Sequence, residues 1–324
     1  MSQKNAIALV NRRYLRIKVF QGLYTYMRTE NPDAVKVERD IFESINRLFD
    51  LYLYLVNLIM QVEVAASEII DENRKKNLPS REDLNPNMRF VENKVFSILK
   101  DNVQLQQLLE RANVSWTEEH DDVRRIFKAF KEDEFYELYM IREDNDLQID
   151  KQLIVKIFSE YLAVNDVVHH ALEEQNIYWQ DDLPIAALTV IKTIQNLPKF
   201  DATNTTVLAD LYKVKAEDQL FVKELLHKTI QNAEEYGEMI SSKAKNWETE
   251  RIALLDLILM SMAITELEHF PSVPVKVTLN EYIELAKAYS TPKSKMFING
   301  VLDKLVVELK ESGRINKAGR GLVE

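Results

Sequence analysis

The sequence predicts an all-α protein, and three observations carry that reading. Only six glycines occur in 324 residues, Gly22, Gly237, Gly300, Gly313, Gly319 and Gly321, so more than two hundred consecutive residues contain none. Apolar residues recur at spacings of three and four along most of the chain, which is the period of a helix and not of a strand. The one β-branched stretch, Pro271-Ser-Val-Pro-Val-Lys-Val277, is short and broken by prolines, so it cannot build a ladder. At roughly 150 residues per domain, the length suggests about two domains.

Leu15, Val19, Leu23 and Met27 recur every fourth residue and predict a first amphipathic helix from Asn11 to Arg28, ending before Asn31-Pro32. Ile41, Ile45, Leu48, Tyr52, Leu55, Ile59, Val62, Ala66 and Ile69 then mark a long helix, and Leu51, Val56 and Leu58 widen its apolar face into that of a bundle core. Leu78-Pro79 and Asn85-Pro86 end it. Helices are expected over 87–110, 118–142, 150–174, 181–195, 205–212, 216–241 and 251–267, separated by polar or proline-containing links such as Glu143 to Asp146 and Asn196 to Asp201. Thr278-Leu-Asn-Glu281 reads as a capping box that starts the next helix. Thr291-Pro292 reads as an N-cap and first-turn proline ahead of a last helix over 293–310. Residues 313–324 are expected to be a flexible tail.

Composition excludes whole classes of chemistry. There is no cysteine, which removes disulfides, thiol nucleophiles and Cys-ligated metals. Without clustered glycines there is no Walker loop, Rossmann turn or nucleophile elbow. Of five histidines, His169 stands four residues before Glu173 at metal-ligand spacing, yet no third ligand accompanies the pair. Glu284 can pair with Lys287 at i+3, and Glu281 belongs to the capping box, so neither reads as a catalytic carboxylate. No nucleophile, base and orienting group assemble; the chain is not expected to be an enzyme, or to hold a cofactor or metal. The longest uncharged stretch, Leu51 to Val62, is too short to span a bilayer, and no signal-peptide core precedes Arg12-Arg13; a cytoplasmic protein without membrane contact is expected.

The net charge of −10 is unevenly placed: residues 1–30 carry +5, residues 31–200 carry −12, and the remainder carries −3. An acidic protein with a basic head suggests a local polyanion contact. Arg12, Arg13 and Arg16 fall within an arc of about 100° at the positive end of the first helix, where they repel one another unless an anion lies between them. Tyr24 lies further along, near the edge of that arc, placed to stack on a base.

The first helix, Asn11-Arg-Arg-Tyr-Leu-Arg-Ile-Lys-Val-Phe-Gln-Gly-Leu-Tyr-Thr-Tyr26, resembles the opening of the transcription antitermination factors of the NusB family, in which arginines precede a V-x-Q-A-L-Y-like run. Residues Trp247 to Leu305 resemble that family's C-terminal signature: Arg251-Ile, Asp256 and Ile264-Thr-Glu-Leu267, then Val275 to Lys287, then Lys293-Ser-Lys-Met-Phe-Ile-Asn-Gly-Val-Leu-Asp-Lys304. Asp218 to Ile240 matches the preceding helix. The resemblance covers about 20 residues at the start and about 100 at the end. It implies a NusB-like helical bundle with a large all-helical insertion: residues 1–30 as the first helix, 31–200 as insertion, 201–312 as the C-terminal helical domain, and 313–324 as tail. Gly22 stands where alanine is usual, and should loosen the first helix by about 1 kcal/mol. Lys293 stands where an acid is often seen.

Such a resemblance implies an RNA-binding adaptor. It would join ribosomal protein S10 (NusE) on a boxA-like RNA of nascent rRNA and, within the RNA polymerase elongation complex, oppose termination. Carried over, Arg12, Arg13, Arg16 and Tyr24 would hold the RNA from one side. Lys293, Ser294, Lys295 and Phe297, at the start of the last helix, would hold it from the other, the serine and lysines on phosphate and the phenylalanine on a base. Phe297 is read equally as an inward-facing aromatic, and Asn299 as an amide bonded to backbone; Asn280, Glu281, Glu284 and Lys287 are architectural. A helical scaffold or rRNA-processing adaptor is the alternative. The domain also resembles the front end of rRNA cytosine methyltransferases, but the Gly-rich cofactor loop of those enzymes is missing.

Overall fold

The computed structural model describes residues 7–144, 146–197, 208–244 and 252–318. Among them lie fifteen α-helices and no strand, apart from one isolated parallel bridge between Ala8 and Asp210. The chain divides into two compact units. One comprises Met1–Leu9 with Ile45–Lys213, and the other Val10–Ser44 with Val214–Glu324.

The second unit contains α1 (Arg12–Arg28), the first residues of α2 (Ala34–Arg74), α11 (Lys215–Gln231), α12 (Ala233–Ala244), α13 (Leu254–His269), α14 (Val275–Tyr289) and α15 (Ser294–Glu311). Its centre is α13, where every residue from Ile258 to Leu267 is buried. A helix buried on all sides needs partners on all sides, and α1, α11, α12, α14 and α15 supply them. Asn11 caps α1, its side-chain oxygen accepting from the Tyr14 amide at 2.9 Å. Gly22 lets α2 approach α1 closely: a Cβ there would stand 2.8 Å from Ile41 Cγ1 and 3.2 Å from Val37 Cγ1. The glycine that propensity alone marks as a weakness is therefore a packing requirement.

The first unit contains the rest of α2 with α3 (Arg81–Leu84), α4 (Lys94–Lys100), α5 (Val103–Ala112), α6 (His120–Lys131), α7 (Glu134–Met140), α8 (Leu147–Ile157), α9 (Asp166–Gln175) and α10 (Leu183–Gln195). The apolar part of α2 is long enough to cross a membrane by length and composition, unlike the shorter uncharged run considered from sequence. However, 72% of that stretch is buried. Leu51 through Met60 are all buried, so α2 is the core helix of this unit.

Several expected helices are broken where periodicity shows no break, some of them by side-chain caps. The stretch expected over 87–110 divides into α4 and α5 because Asn93 accepts from the Val95 amide and Asn102 from the Leu105 amide, each at 2.9 Å. The stretch 118–142 divides at Glu132-Asp133 into α6 and α7. The stretch 150–174 contains a π turn, Phe158–Leu162, before Asn165 caps α9. The stretch 216–241 is interrupted at Asn232, whose amide donates to the Lys228 carbonyl at 2.8 Å. Residues Leu208–Tyr212 are not helical as expected. Asp210 instead exchanges backbone bonds with Ile7 and Leu9, at 2.8 and 2.9 Å; the rest of that expected helix lies outside the described residues.

The capping box expected at Thr278 is also corrected. Helix α14 starts one turn earlier, after Pro274, and Thr278 is buried within it with its hydroxyl donating to Glu266. A reciprocal capping box exists instead at α3, between Ser80 and Asp83. At the far end, Gly313 (φ 71°) closes α15 in a Schellman motif, with the Arg314 amide bonded to the Leu309 carbonyl and the Gly313 amide to that of Lys310. The beginning of the expected tail is tied down: Lys317 donates to the Glu266 and Phe270 carbonyls at 3.0 Å, and Arg314 pairs with Glu235. Gly319 and Gly321 lie outside the described residues.

Candidate nucleic-acid interface

The start of α1 and the turn leading into α14 enclose an open groove lined by Asn11, Arg12, Arg13, Arg16, Ser272, Val273, Pro274, Val277 and Glu281. Two helix N-termini of the second unit thus meet on one surface, each contributing unsatisfied amides and the positive end of a dipole.

The mutual repulsion of the three arginines is offset by carboxylates, Asp218 beside Arg12, Glu281 beside Arg13 and Glu266 beside Arg16, with Glu281 also 3.6 Å from Arg16. Arg12 lies 3.2 Å from Asp218 and over the Phe221 ring at 4.4 Å from its centroid. Burial lowers its pKa, against the opposing pull of Asp218. Arg13 makes a two-pronged contact with Glu281, at 2.8 and 2.9 Å, which raises its pKa and holds the Glu281 carboxyl below its usual value. Arg12 and Arg13 retain 40% and 51% side-chain exposure and keep donors toward solvent.

Arg16 differs. Its side chain is 3% exposed, and its guanidinium grips the fully buried Glu266 at 2.7 and 2.8 Å. Thr278 and Tyr282 donate to the same carboxylate, at 2.9 and 3.3 Å. Burial opposes the Arg16 charge, yet the bond to Glu266 and the neighbouring negative groups outweigh it and raise its pKa above the ordinary value. The cation that sequence reading placed on phosphate is a structural pin joining α1, α13 and α14.

The second cluster separates in the same manner. Lys293 and Lys295 are exposed at the start of α15, and Tyr24 is exposed on α1. Ser294 is buried, its hydroxyl bonded to the buried Asp256 at 2.8 Å; its amide donates to the Thr291 hydroxyl at 3.3 Å across the turn that precedes α15, whose N-cap is Lys293 and not the expected Thr291. The phosphate contact read for that serine is therefore corrected, since its oxygen is engaged inside the chain. Phe297 is buried, which settles its two readings in favour of the inward one. Asn299 donates to the Asp303 side chain at 3.0 Å, not to backbone. Glu284 pairs with Lys287 as its spacing suggested.

Glu284 on α14 is held below the usual carboxylate value first by Lys287, with smaller contributions from the charges of Arg13 and Lys295. Tyr24 follows Arg13 by eleven residues, so it lies on nearly the same face of α1, about 16 Å further along. Asp218, Glu266 and Val277 were missed from sequence. Only Glu266 had a readable signal, because an acid within an apolar helix requires a buried cation.

The sequence model of the NusB family matches residues 184–306. The "Transcription antitermination protein NusB" of Salinibacter ruber (strain DSM 13855 / M31) is 41% identical over 138 residues, which are 41% of this chain and 86% of that protein. The chain belongs to the NusB family. Two further members of the family carry the same printed name. That of Chloroherpeton thalassium (strain ATCC 35110 / GB-78) is 44% identical over 118 residues, 36% of this chain and 54% of that protein. That of Bacillus subtilis (strain 168) is 31% identical over 123 residues, 37% of this chain and 94% of that protein. No solved structure matches the chain. The Bacillus family member is thus nearly spanned by little more than a third of this chain, and the match to the family model leaves residues 45–183 of the first unit outside it.

Proposed function

We propose that the chain is a cytoplasmic transcription antitermination factor acting on rRNA operons. It binds a boxA-like RNA together with ribosomal protein S10 (NusE) in the RNA polymerase elongation complex. It acts by binding and not by catalysis. The observation that carries this reading is the pair of half-exposed arginines, Arg12 and Arg13, over an open groove where two helix N-termini meet. Lys295 extends the cationic surface past Glu284, and Tyr24 offers an aromatic face at the distance of a few nucleotides.

The carboxylates of Asp218 and Glu281 are part of this reading. They hold the arginines in place before RNA arrives, and a phosphate must compete with them for the exposed donors. Intrinsic affinity is therefore modest, and an acidic protein gains from a basic partner that extends the RNA surface. Mobility shift with a boxA-like RNA, with and without S10, tests the proposal. Tighter RNA binding in the presence of S10, weakened by Arg12→Ala/Arg13→Ala, is expected. Equal affinity with and without S10, or in the variant, would refute it, and no RNA binding in either condition would favour a helical scaffold.

A further inference from the structure

The first unit contains a recess remote in sequence from the arginines, between α2, the segment around α3, α6 and α7. Its floor is three rings: Phe90 stands 5.4 Å from Tyr136 and 5.6 Å from Phe127, centroid to centroid. Ile69 and Ile70 of α2 form one wall. Tyr136 is 5% exposed, and its hydroxyl has no hydrogen-bond partner among the described residues; burial raises its pKa. The hydroxyl is not sealed from solvent, so it is open to an acceptor that enters the recess.

The mouth has its own chemistry. Ile141 lines it with 74% exposure, and Leu84 and Leu138 stand exposed beside the lining residues. Apolar side chains grouped around a recess mark an interaction surface more often than scattered ones do. Glu82 and Glu137 are exposed on the rim and have no ion pair among the described residues, whereas Asp83 is paired with Lys76 at 3.4 Å; Lys131 is the one cation among the described lining residues. Residues 31–200, which supply the whole lining, carry −12.

We propose that this recess docks a segment of a basic partner protein. One large apolar side chain of the segment would enter the recess and seat on the floor of Phe90, Phe127 and Tyr136, and its flanking lysines or arginines would meet Glu82 and Glu137. The Tyr136 hydroxyl donates to a backbone carbonyl of the segment. Charge complementarity selects this occupant: RNA is repelled by the rim, and a second copy of a chain of net charge −10 is a poor complement. The proposal is independent of the RNA-binding reading, because its residues lie in the other unit.

A phage-displayed library of random dodecapeptides, panned on the full chain with Glu82→Lys/Glu137→Lys/Ile141→Ser as counter-selection, tests it. These positions are exposed, and circular dichroism verifies that the variant remains folded. The expected outcome is enrichment of peptides with one large apolar residue flanked by Lys or Arg. A synthesised winner should bind the variant at least about tenfold more weakly by fluorescence anisotropy. Tyr136→Phe, which keeps the ring, should weaken it a few-fold. Acidic winners, no consensus, or equal binding to the variant would overturn the proposal. So would a concentration-dependent dimer of the chain that Ile141→Ser dissociates, since it would make the occupant a second copy.

Discussion

Replacing Arg16 by methionine should unfold the second unit more readily and leave the proposed RNA contacts of Arg12 and Arg13 in place. The change removes the one guanidinium bonded to Glu266 among the described residues and leaves a carboxylate of 0% side-chain exposure with two hydroxyl donors, Thr278 and Tyr282. Breaking one partner of a buried pair costs about 3–5 kcal/mol, because the remaining charge stays desolvated. That is roughly two to four orders of magnitude in the local folding equilibrium. Removing both partners, as Arg16→Met/Glu266→Met, should recover most of the loss, since two buried charges then give way to apolar side chains of similar length. The chain divides into two units, so a single global transition is a poor readout. Hydrogen exchange across a urea series, followed on peptides of α1 and α13, measures the opening free energy where the pair sits. A single variant within about 1 kcal/mol of the parent, or a double variant as unstable as the single, would refute the buried-pair argument. A loss of about 0.7 in the salt slope of RNA binding with stability unchanged would make Arg16 a phosphate contact after all.

Arg12→Ala/Arg13→Ala should leave the fold intact and reduce the log-log salt slope of single-stranded RNA binding by about 0.7 for each lost contact; an unchanged slope would place the RNA elsewhere. Glu281 has a folded pKa depressed below its ordinary 4.5 by Arg13. Its contribution to stability is therefore fully present above about pH 4.5 and lost as pH falls through the lower folded value. Glu281→Gln should remove that part of the acid dependence, as read from melting temperature between about pH 3 and 6. Gly22→Ala should destabilise by about 1 kcal/mol, since the clash with Ile41 and Val37 outweighs the gain in helix propensity. A higher melting temperature in that variant would contradict the packing argument. Lys295→Glu should weaken RNA binding without changing stability, whereas Ser294→Ala should do the reverse, because only the serine is bonded inward to Asp256.

The all-α class, the first helix and the last helices were readable from the chain because they rest on local quantities: periodicity, scarce glycine and a proline near a helix start. The family was readable because residues Arg251 to Lys304 form a long run whose order survives without any knowledge of contacts. Breaks inside the middle helices were not readable. An asparagine such as Asn93 or Asn102 caps a helix only when its side chain turns back to the amide two or three residues on, and the same residue type is tolerated on an exposed helix face.

The division of labour within the site was decided by tertiary structure alone. Arg12, Arg13 and Arg16 have the same chemistry and share one turn of helix, so sequence determines that three cations gather at the start of α1. Which of them faces a groove and which enters the core depends on carboxylates at positions 218, 281 and 266, more than two hundred residues away. Ser294 and Lys295 separate for the same reason: adjacent residues on a helix point about 100° apart, and the buried Asp256 claims one of those directions. Sequence fixes which groups are available, and packing sets the dielectric and the partners that decide whether a charge binds a ligand or holds the fold.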